Sequence, residues 1–184
     1  VGEGTVRRGS ATCPCCGFTT PVASVRSQLK LRHGGASDAR MLAVVTTRPG
    51  QQGRFYRLPT ARDLDAKRKA ADELQRRKTT HTGMFSLVPD ERLDVRGIQG
   101  TSVMIYGLDD WGTLFTPRQA LALTTLVRLI HDMPDDLVGE PEPGLAAATQ
   151  TCLALALDRQ ADYTSSIATW GAGGEKIQHT FSRQ

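Results

Sequence analysis

The sequence contains few aromatic residues and no long apolar run. Phe, Trp and Tyr make up 5% of its 184 residues, so a hydrophobic core must rely on Leu, Val, Ile and Ala. No segment approaches the roughly 20 consecutive apolar residues that a membrane-spanning helix requires. The first residues also lack the apolar stretch of a signal peptide. These absences predict a cytoplasmic protein with no membrane partner.

Cysteine is scarce as well. Three of the four cysteines crowd within residues 13–16, which is not the spacing of a disulfide framework and indicates a reducing compartment. The fourth, Cys152, lies in an apolar run, and we expect its thiol to be buried as a small hydrophobe.

The common motifs of cofactor binding and catalysis are missing. There is no Gly-x-Gly-x-x-Gly motif, no P-loop, no His-Glu-x-x-His and no Gly-x-Ser-x-Gly. The four histidines are scattered, so no Ser-His-Asp arrangement can be argued. The sequence therefore predicts no self-sufficient catalytic site.

A Cys-x-x-Cys pair, Cys13 and Cys16, is the most distinctive feature that is present. This spacing can hold half of a tetrahedral zinc shell, and Gly17 suits the chain reversal that follows. Cys15 could replace either cysteine, and His33 is the nearest histidine, but no second pair completes the shell. The alternatives are a thioredoxin-like redox pair, which would need a helix beginning at the pair, or an accidental pair. We predict a half zinc-ribbon module over residues 1–35.

Charge divides unevenly between the two ends of the chain. Residues 1–80 contain 16 Lys or Arg against 6 Asp or Glu, whereas residues 81–184 contain 7 against 13. This asymmetry favours contact between the first part and a polyanion, although basic residues can also serve only solubility.

Residues 41–58 predict an antiparallel β-hairpin with a five-residue loop at 49–53. The first strand is rich in β-branched residues, and the second carries Phe55 and Tyr56. Arg48, Arg54 and Arg57 lie beside these rings. Such interleaving suits a surface that contacts nucleic-acid backbones and stacks on bases, or equally an ordinary solvated sheet face.

A basic helix is predicted over 61–78, with Thr60 as its N-cap. Its apolar stripe is thin and consists of Leu64, Ala71 and Leu74. The remaining surface could lie along DNA phosphates or simply be solvated. The candidate DNA-contacting residues on this helix are Lys67, Arg68, Arg76, Arg77 and Lys78.

The second part of the chain predicts two apolar helices, at 117–131 and 145–167, packed as an antiparallel pair. The first has a capping box, with Thr116 before Pro117 and Gln119 at the third helical position. Its apolar stripe predicts a well-buried helix. A short strand is predicted at 102–107. With residues 36–184 as one domain, the predicted fold class is α+β.

Six motifs in a fixed order resemble a known family. They are Cys-Pro-x-Cys-Gly at 13–17, Gly-Arg-x-Tyr-Arg-Leu-Pro-Thr at 53–60, Leu-x-Pro-Asp-Glu at 87–91, Leu-Phe-Thr-Pro-Arg-Gln at 114–119, Leu-Ala-Leu-Ala-Leu-Asp-Arg-Gln-Ala-Asp at 153–162, and His-Thr-Phe-Ser-Arg-Gln at 179–184. Together they resemble an internal segment of the zinc-ribbon-containing, adenine-specific DNA methylases of prokaryotes. The chain begins with Val, and both ends fit this interpretation.

The resemblance implies S-adenosylmethionine as methyl donor, DNA adenine N6 as acceptor, and zinc bound by Cys13, Cys16 and an upstream cysteine pair. The Gly-rich cofactor motif and the Asp-Pro-Pro-Tyr motif of the family are both missing from this sequence. S-adenosylmethionine binding is therefore expected only in the full-length enzyme, and this chain alone is expected to be inactive.

Three functions follow as hypotheses. The first is a DNA-contacting, target-recognition insert that packs against the rest of the methyltransferase polypeptide. The second is an independent zinc-knuckle adaptor that binds nucleic acid or protein. The third is a thiol redox enzyme, which a lowered pKa of the Cys13 thiol would favour.

Overall fold

The computed structural model describes residues 4–36, 39–93, 103–133 and 144–181. In these ranges the chain combines four α-helices with short antiparallel strands, which confirms the α+β class. The helices are α1 (Val22–Leu31), α2 (Ala61–Thr80), α3 (Pro117–His131) and α4 (Leu145–Tyr163). The strands are β1 (Val6–Arg7), β2 (Ser10–Thr12), β3 (Thr19–Thr20), β4 (Val44–Arg48), β5 (Gln51–Arg57), β6 (Trp170–Gly171) and β7 (Lys176–Ile177).

The first structural unit is the small sheet β1-β2-β3, with α1 following directly. All its strand pairs are antiparallel, and the cysteines lie in the turn between β2 and β3. Pro21 is extended and ends the sheet, and α1 begins at the next residue. The sequence of residues 22–30 is compatible with either a strand or a helix, and the structure shows a helix there. Helix α1 ends before Gly34 and Gly35, which both adopt positive φ.

The β4-β5 hairpin forms as predicted, but its loop is shorter than expected. The strands run over Val44–Arg48 and Gln51–Arg57, so the turn consists of Pro49 and Gly50 instead of five residues. The register shifts between Thr46 and Arg48. Because of this irregularity, residues 51–53, which the sequence pattern assigned to the loop, belong to β5.

Helices α2 and α3 begin at the predicted residues because their capping boxes form. The Thr60 amide donates to Asp63 Oδ2 at 2.7 Å, and the Thr116 amide donates to Gln119 Oε1 at 2.8 Å. Helix α2 reaches Thr80, two residues beyond the predicted end, and α3 ends at His131 as predicted. The two helices are joined by the Arg77 guanidinium, which donates to Thr125 Oγ1.

Helices α3 and α4 form the expected antiparallel pair. Gln150 near the start of α4 donates to the carbonyl of Ile130 near the end of α3, and the Ser166 amide just after α4 donates to the carbonyl of Leu114 just before α3. Helix α4 ends at Tyr163, not at 167, because the chain bends at 164–167 to make that second contact.

The pair is much less buried than predicted. In α3 only Ala120 is fully buried, and Leu126, Val127 and Leu129 are exposed. Cys152 is also exposed, so the prediction of a core thiol was wrong. The physical reason is that α4 lies against α3 along one side only, and an apolar sequence cannot reveal how many sides of its helix find a neighbour.

The principal core of the described residues forms around Leu93, Leu108 and Leu114. Leu114 is 1% exposed. Residues Val103–Tyr106 add to this core from a 3-10 helix, so the predicted strand at 102–107 was wrong. Gly107 closes that turn at φ +88°, where an added Cβ would lie 2.6 Å from the Lys30 Cα of α1. None of the described helices has the length and apolarity of a membrane span.

Candidate functional site

The cysteine turn is closed by two backbone hydrogen bonds. The Cys13 amide donates to the Phe18 carbonyl at 2.8 Å, and the Gly17 amide donates to the Cys13 carbonyl at 2.9 Å. Gly17 has φ +74°, the left-handed conformation that glycine adopts without a steric cost. The backbone amides of Cys16 and Cys15 also point at the Cys13 sulfur and lower the pKa of its thiol.

Cys13 and Cys16 are at most half of the ligand set of a structural zinc site. Thiolates are the ligands that zinc prefers, and a structural site needs four ligands. In the described ranges, no three His, Cys, Asp or Glu side chains come together in a way that could hold a metal ion. Thus neither Cys15 nor His33 completes a site with Cys13 and Cys16. A zinc site at this turn would need two further ligands besides Cys13 and Cys16, and the described residues place none beside them.

The lowered pKa of the Cys13 thiol does not by itself favour a redox enzyme. Both zinc binding and thiol exchange need the thiolate. A thioredoxin-like site would place the first cysteine at the start of a helix. Here α1 begins only at Val22, well beyond Cys16. The redox alternative therefore lacks the element that would activate it.

Two of the three exposed arginines of the β4-β5 hairpin, Arg48 and Arg54, have no carboxylate partner among the described residues. The Arg48 guanidinium lies over the Phe55 ring, 4.0 Å from its centroid. Arg54 makes only a long contact, 3.5 Å, with the carbonyl of Gly53. Neither forms an ion pair within the part of the chain that the structure describes. Arg57 differs, because both of its terminal nitrogens bind Asp63 of α2, at 2.6 and 2.9 Å.

Tyr56 of the hairpin faces another part of the chain. Its hydroxyl donates to Glu175 Oε1 at 2.9 Å, and its ring meets Trp170 edge-on with centroids 6.3 Å apart. Desolvation and the neighbouring Glu175 carboxylate raise the pKa of Tyr56. This contact joins the hairpin to β6-β7, so Tyr56 is less available for stacking than Phe55 and Arg48.

Most of the predicted cations on α2 already have partners. Arg68 pairs with Asp65 and Asp72, and the Lys67 ammonium donates to the Ala39 carbonyl. Arg76 and Arg77 share one carboxylate, Glu73, at 2.7 Å each. The two guanidiniums lower the pKa of Glu73 to about 2. Because one carboxylate serves two guanidiniums, positive charge remains in excess at this end of the helix.

That excess lines a groove of about 600 Å³ between the end of α2 and α3. Arg128 and His131 of α3 line the groove together with Arg76 and Arg77 of α2, and His81 lines it as well. Asp132 is within 4.0 Å of Arg128 and 3.1 Å of His131. We call this set the basic groove. Lys78 lies outside it, in a neighbouring groove with His33 and Leu74.

A polar network at the end of α4 was missed by the sequence reasoning. Asp162, 8% exposed, accepts a hydrogen bond from the Phe181 amide at 2.8 Å and contacts His179 Nδ1 at 2.6 Å. His179 Nε2 lies 2.9 Å from the Tyr163 hydroxyl, to which Arg159 also donates. The Phe181 amide and then His179 lower the pKa of Asp162. The network ties the 179–181 segment to α4.

The sequence contained one signal for this network, an aspartate next to a tyrosine at the end of an apolar helix. Its histidine partner is 17 residues away along the chain. Periodicity does not reveal contacts at that separation.

Comparison of the chain with protein-family models, curated proteins and solved structures finds no match. Function must therefore be inferred from the residues and their geometry.

Proposed function

We propose that this chain is a DNA-contacting module that serves an S-adenosylmethionine-dependent DNA adenine methyltransferase. The observation that carries the DNA part of this proposal is the exposed β4-β5 hairpin, whose Arg48 and Arg54 have no carboxylate partner among the described residues. The order of the six methylase-like motifs supports the choice of enzyme.

The hairpin suits phosphates because Arg48 and Arg54 are exposed and form no ion pair among the described residues. The Arg48 guanidinium lies over the Phe55 ring, and this cation–π contact restrains its position. Arg54 projects from the neighbouring strand, and the segment from 39 to 60 contains no Asp or Glu. Contacts of this kind position a protein on DNA without reading its sequence.

The basic groove places further positive charge at the other end of α2, away from the hairpin. Helix α2 has 20 residues and is therefore about 30 Å long. The Arg57-Asp63 pair joins the hairpin to the start of α2, and the basic groove lies at the end of this helix. A duplex that contacts both would span roughly nine base pairs at 3.4 Å per pair.

Salt-dependent binding to duplex DNA tests this proposal. Each phosphate contact contributes a slope of about −0.9 to the logarithm of affinity against the logarithm of salt concentration. Arg54→Ala is expected to reduce the magnitude of the slope by about 0.9, since it removes one contact. Arg68→Ala is the matched control and should leave the slope unchanged, because its guanidinium is paired with Asp65 and Asp72. Equal slopes for the wild type and Arg54→Ala would refute the hairpin as a phosphate-binding surface.

Methyl transfer itself is assigned to other parts of such an enzyme. This sequence carries neither the Gly-rich cofactor motif nor Asp-Pro-Pro-Tyr, and no residue here is given a role toward S-adenosylmethionine. Incubation of the purified chain with radiolabelled S-adenosylmethionine and DNA is expected to leave the DNA unlabelled. Labelled adenine would contradict the assignment.

The geometry of the cysteine turn favours a second candidate, a zinc-knuckle adaptor that binds nucleic acid or protein. Cys13 and Cys16 would hold the ion, and the thiolates would bind zinc as structural ligands. Titration with Co²⁺ distinguishes the two cysteines from Cys152. Cys13→Ser and Cys16→Ser should each abolish the thiolate-to-metal absorption, whereas Cys152→Ser should leave it intact. Absorption that survives both of the first substitutions would exclude this metal site.

A further inference from the structure

A second groove, of about 630 Å³, opens where the start of α3, the end of α4 and the β6-β7 hairpin meet. Its walls include Arg118 and Gln119 from α3, Gln160 and Tyr163 from α4, and Trp170 from β6. We call it the Trp170 groove. It is separate from the basic groove, with which it shares no lining residue.

Trp170 offers an exposed aromatic face in a fixed position. Its side chain is 41% exposed. Trp170 pairs with Ile177 across the β6-β7 ladder, so both side chains lie on one face and line the groove. The contact with Tyr56, whose ring is perpendicular to the indole, also restrains Trp170. A restrained, exposed indole is a suitable platform on which a nucleic-acid base can stack.

The polar groups of the groove complement the rest of a nucleotide. Arg118 is exposed and forms no ion pair in the part of the chain that the structure describes, so its charge is available to a phosphate. Gln119 uses its carbonyl to accept from Thr116, which leaves its amide hydrogens to donate. Gln160 donates to Thr164 and keeps its carbonyl oxygen as an acceptor. Side-chain amides with both functions match the edges of bases, adenine in particular.

The remaining wall is rigid because the Asp162 network holds it. The Tyr163 hydroxyl is fixed by Arg159 and His179, and Asp162 in turn orients His179. A wall that is already ordered loses little conformational entropy when a ligand binds.

We infer that the Trp170 groove binds one unstacked nucleotide of single-stranded DNA, with the base on Trp170 and the phosphate on Arg118. This inference rests on the proposed DNA-binding function and adds a ligand class to it. An enzyme that acts on adenine must take the base out of the duplex stack. The Tyr56 contact places the groove beside the phosphate-binding hairpin, where an opened strand would lie.

Tryptophan fluorescence tests the inference directly, because the chain contains only two tryptophans. Trp111 is also 41% exposed, but it packs against Phe181 outside the groove. Trp111→Phe leaves Trp170 as the only reporter, and Trp170→Phe leaves Trp111. A short oligo(dA) should quench the first variant and not the second, while iodide should quench both.

The affinity of the same oligonucleotide adds a second readout. Trp170→Ala is expected to weaken binding on the order of tenfold, as loss of one stacked base does. Arg118→Ala should weaken it as well and, being a surface change, should leave the helical circular dichroism intact. Oligo(dA) that quenches Trp111 as strongly as Trp170, or that binds Trp170→Ala with unchanged affinity, overturns the inference.

The two proposals can fail separately. Duplex binding with a salt slope that depends on Arg54, but without quenching of Trp170, would refute the Trp170 groove alone. Quenching of Trp170 by oligo(dA) without any salt-dependent duplex binding would support the groove and refute the proposed duplex contact.

Discussion

Replacement of Leu114 by Ala should show how much stability the small core contributes. Leu114 is 1% exposed and packs with Leu93 and Leu108. The substitution removes three methyl or methylene groups, worth about 0.8 kcal/mol each in transfer free energy. The cavity that remains adds to this loss, and buried Leu→Ala substitutions range from about 2.7 to 5.0 kcal/mol. We therefore expect a loss of about 3 kcal/mol in the free energy of unfolding.

Leu155→Ala is the matched control, because it removes the same side-chain atoms from a residue on the exposed side of α4. Its side chain is 67% exposed, so the expected loss is within about 0.5 kcal/mol. Equilibrium urea denaturation, followed by circular dichroism, measures both values. The dependence of the unfolding free energy on urea should remain the same in the two variants.

Two outcomes would refute this reasoning. A loss below about 1 kcal/mol for Leu114→Ala would mean that the core can collapse around the missing side chain or is not the main source of stability. An equal loss for Leu155→Ala would mean that the outer face of α4 is buried in solution against another surface.

The other predictions concern charge and backbone. Glu73→Gln should increase the affinity for duplex DNA and steepen its salt dependence by up to about 0.9 per guanidinium released from Glu73, measured by titration at several salt concentrations. The pKa of Glu73 lies near 2 in the fold against 4.5 ordinarily, so its ion pairs contribute fully above pH 4.5 and are lost as the pH falls through about 2. Acid titration of the wild type should show this loss of stability, and Glu73→Gln should lack it. Gly107→Ala should destabilise the fold by more than Gly17→Ala in urea denaturation, since both have positive φ but only Gly107 would clash with the Lys30 backbone. Asp162→Asn should speed proteolysis at the 179–181 segment, and unchanged cleavage would show that the network does not hold it.

Local chemistry made several elements predictable. The capping box of α3 forms between Thr116 and Gln119, within one turn of the helix, and Pro117 has no amide hydrogen that needs a partner. The start of α3 could therefore be placed from the sequence. The same holds for Thr60 and Asp63 at the start of α2. The Cys13-Gly17 turn also depends on neighbours in sequence, and its chain reversal uses a single glycine with positive φ.

The sequence predicted which residues carry positive charge at the candidate site, but not which of those charges are free of carboxylate partners in the described structure. The sequence indicates that Arg48, Arg54 and Arg68 are cations on one basic segment. Only the structure shows that Arg68 is paired with carboxylates, whereas Arg48 and Arg54 have no such pair within the described ranges. On a helix, such pairs depend on spacings of three and four residues and on which carboxylate each guanidinium reaches first.

The sequence by itself determined the α+β class, the starts of the capped helices, the hairpin and the cysteine turn, because each depends on interactions within a few residues. The tertiary structure decided which apolar residues are buried, why Cys152 is exposed, and how Asp162 meets His179 and Tyr56 meets Trp170. These outcomes depend on contacts between residues far apart in the chain. Local propensity and periodicity carry no information about such contacts, so burial and the assembly of the grooves emerge only when the elements pack.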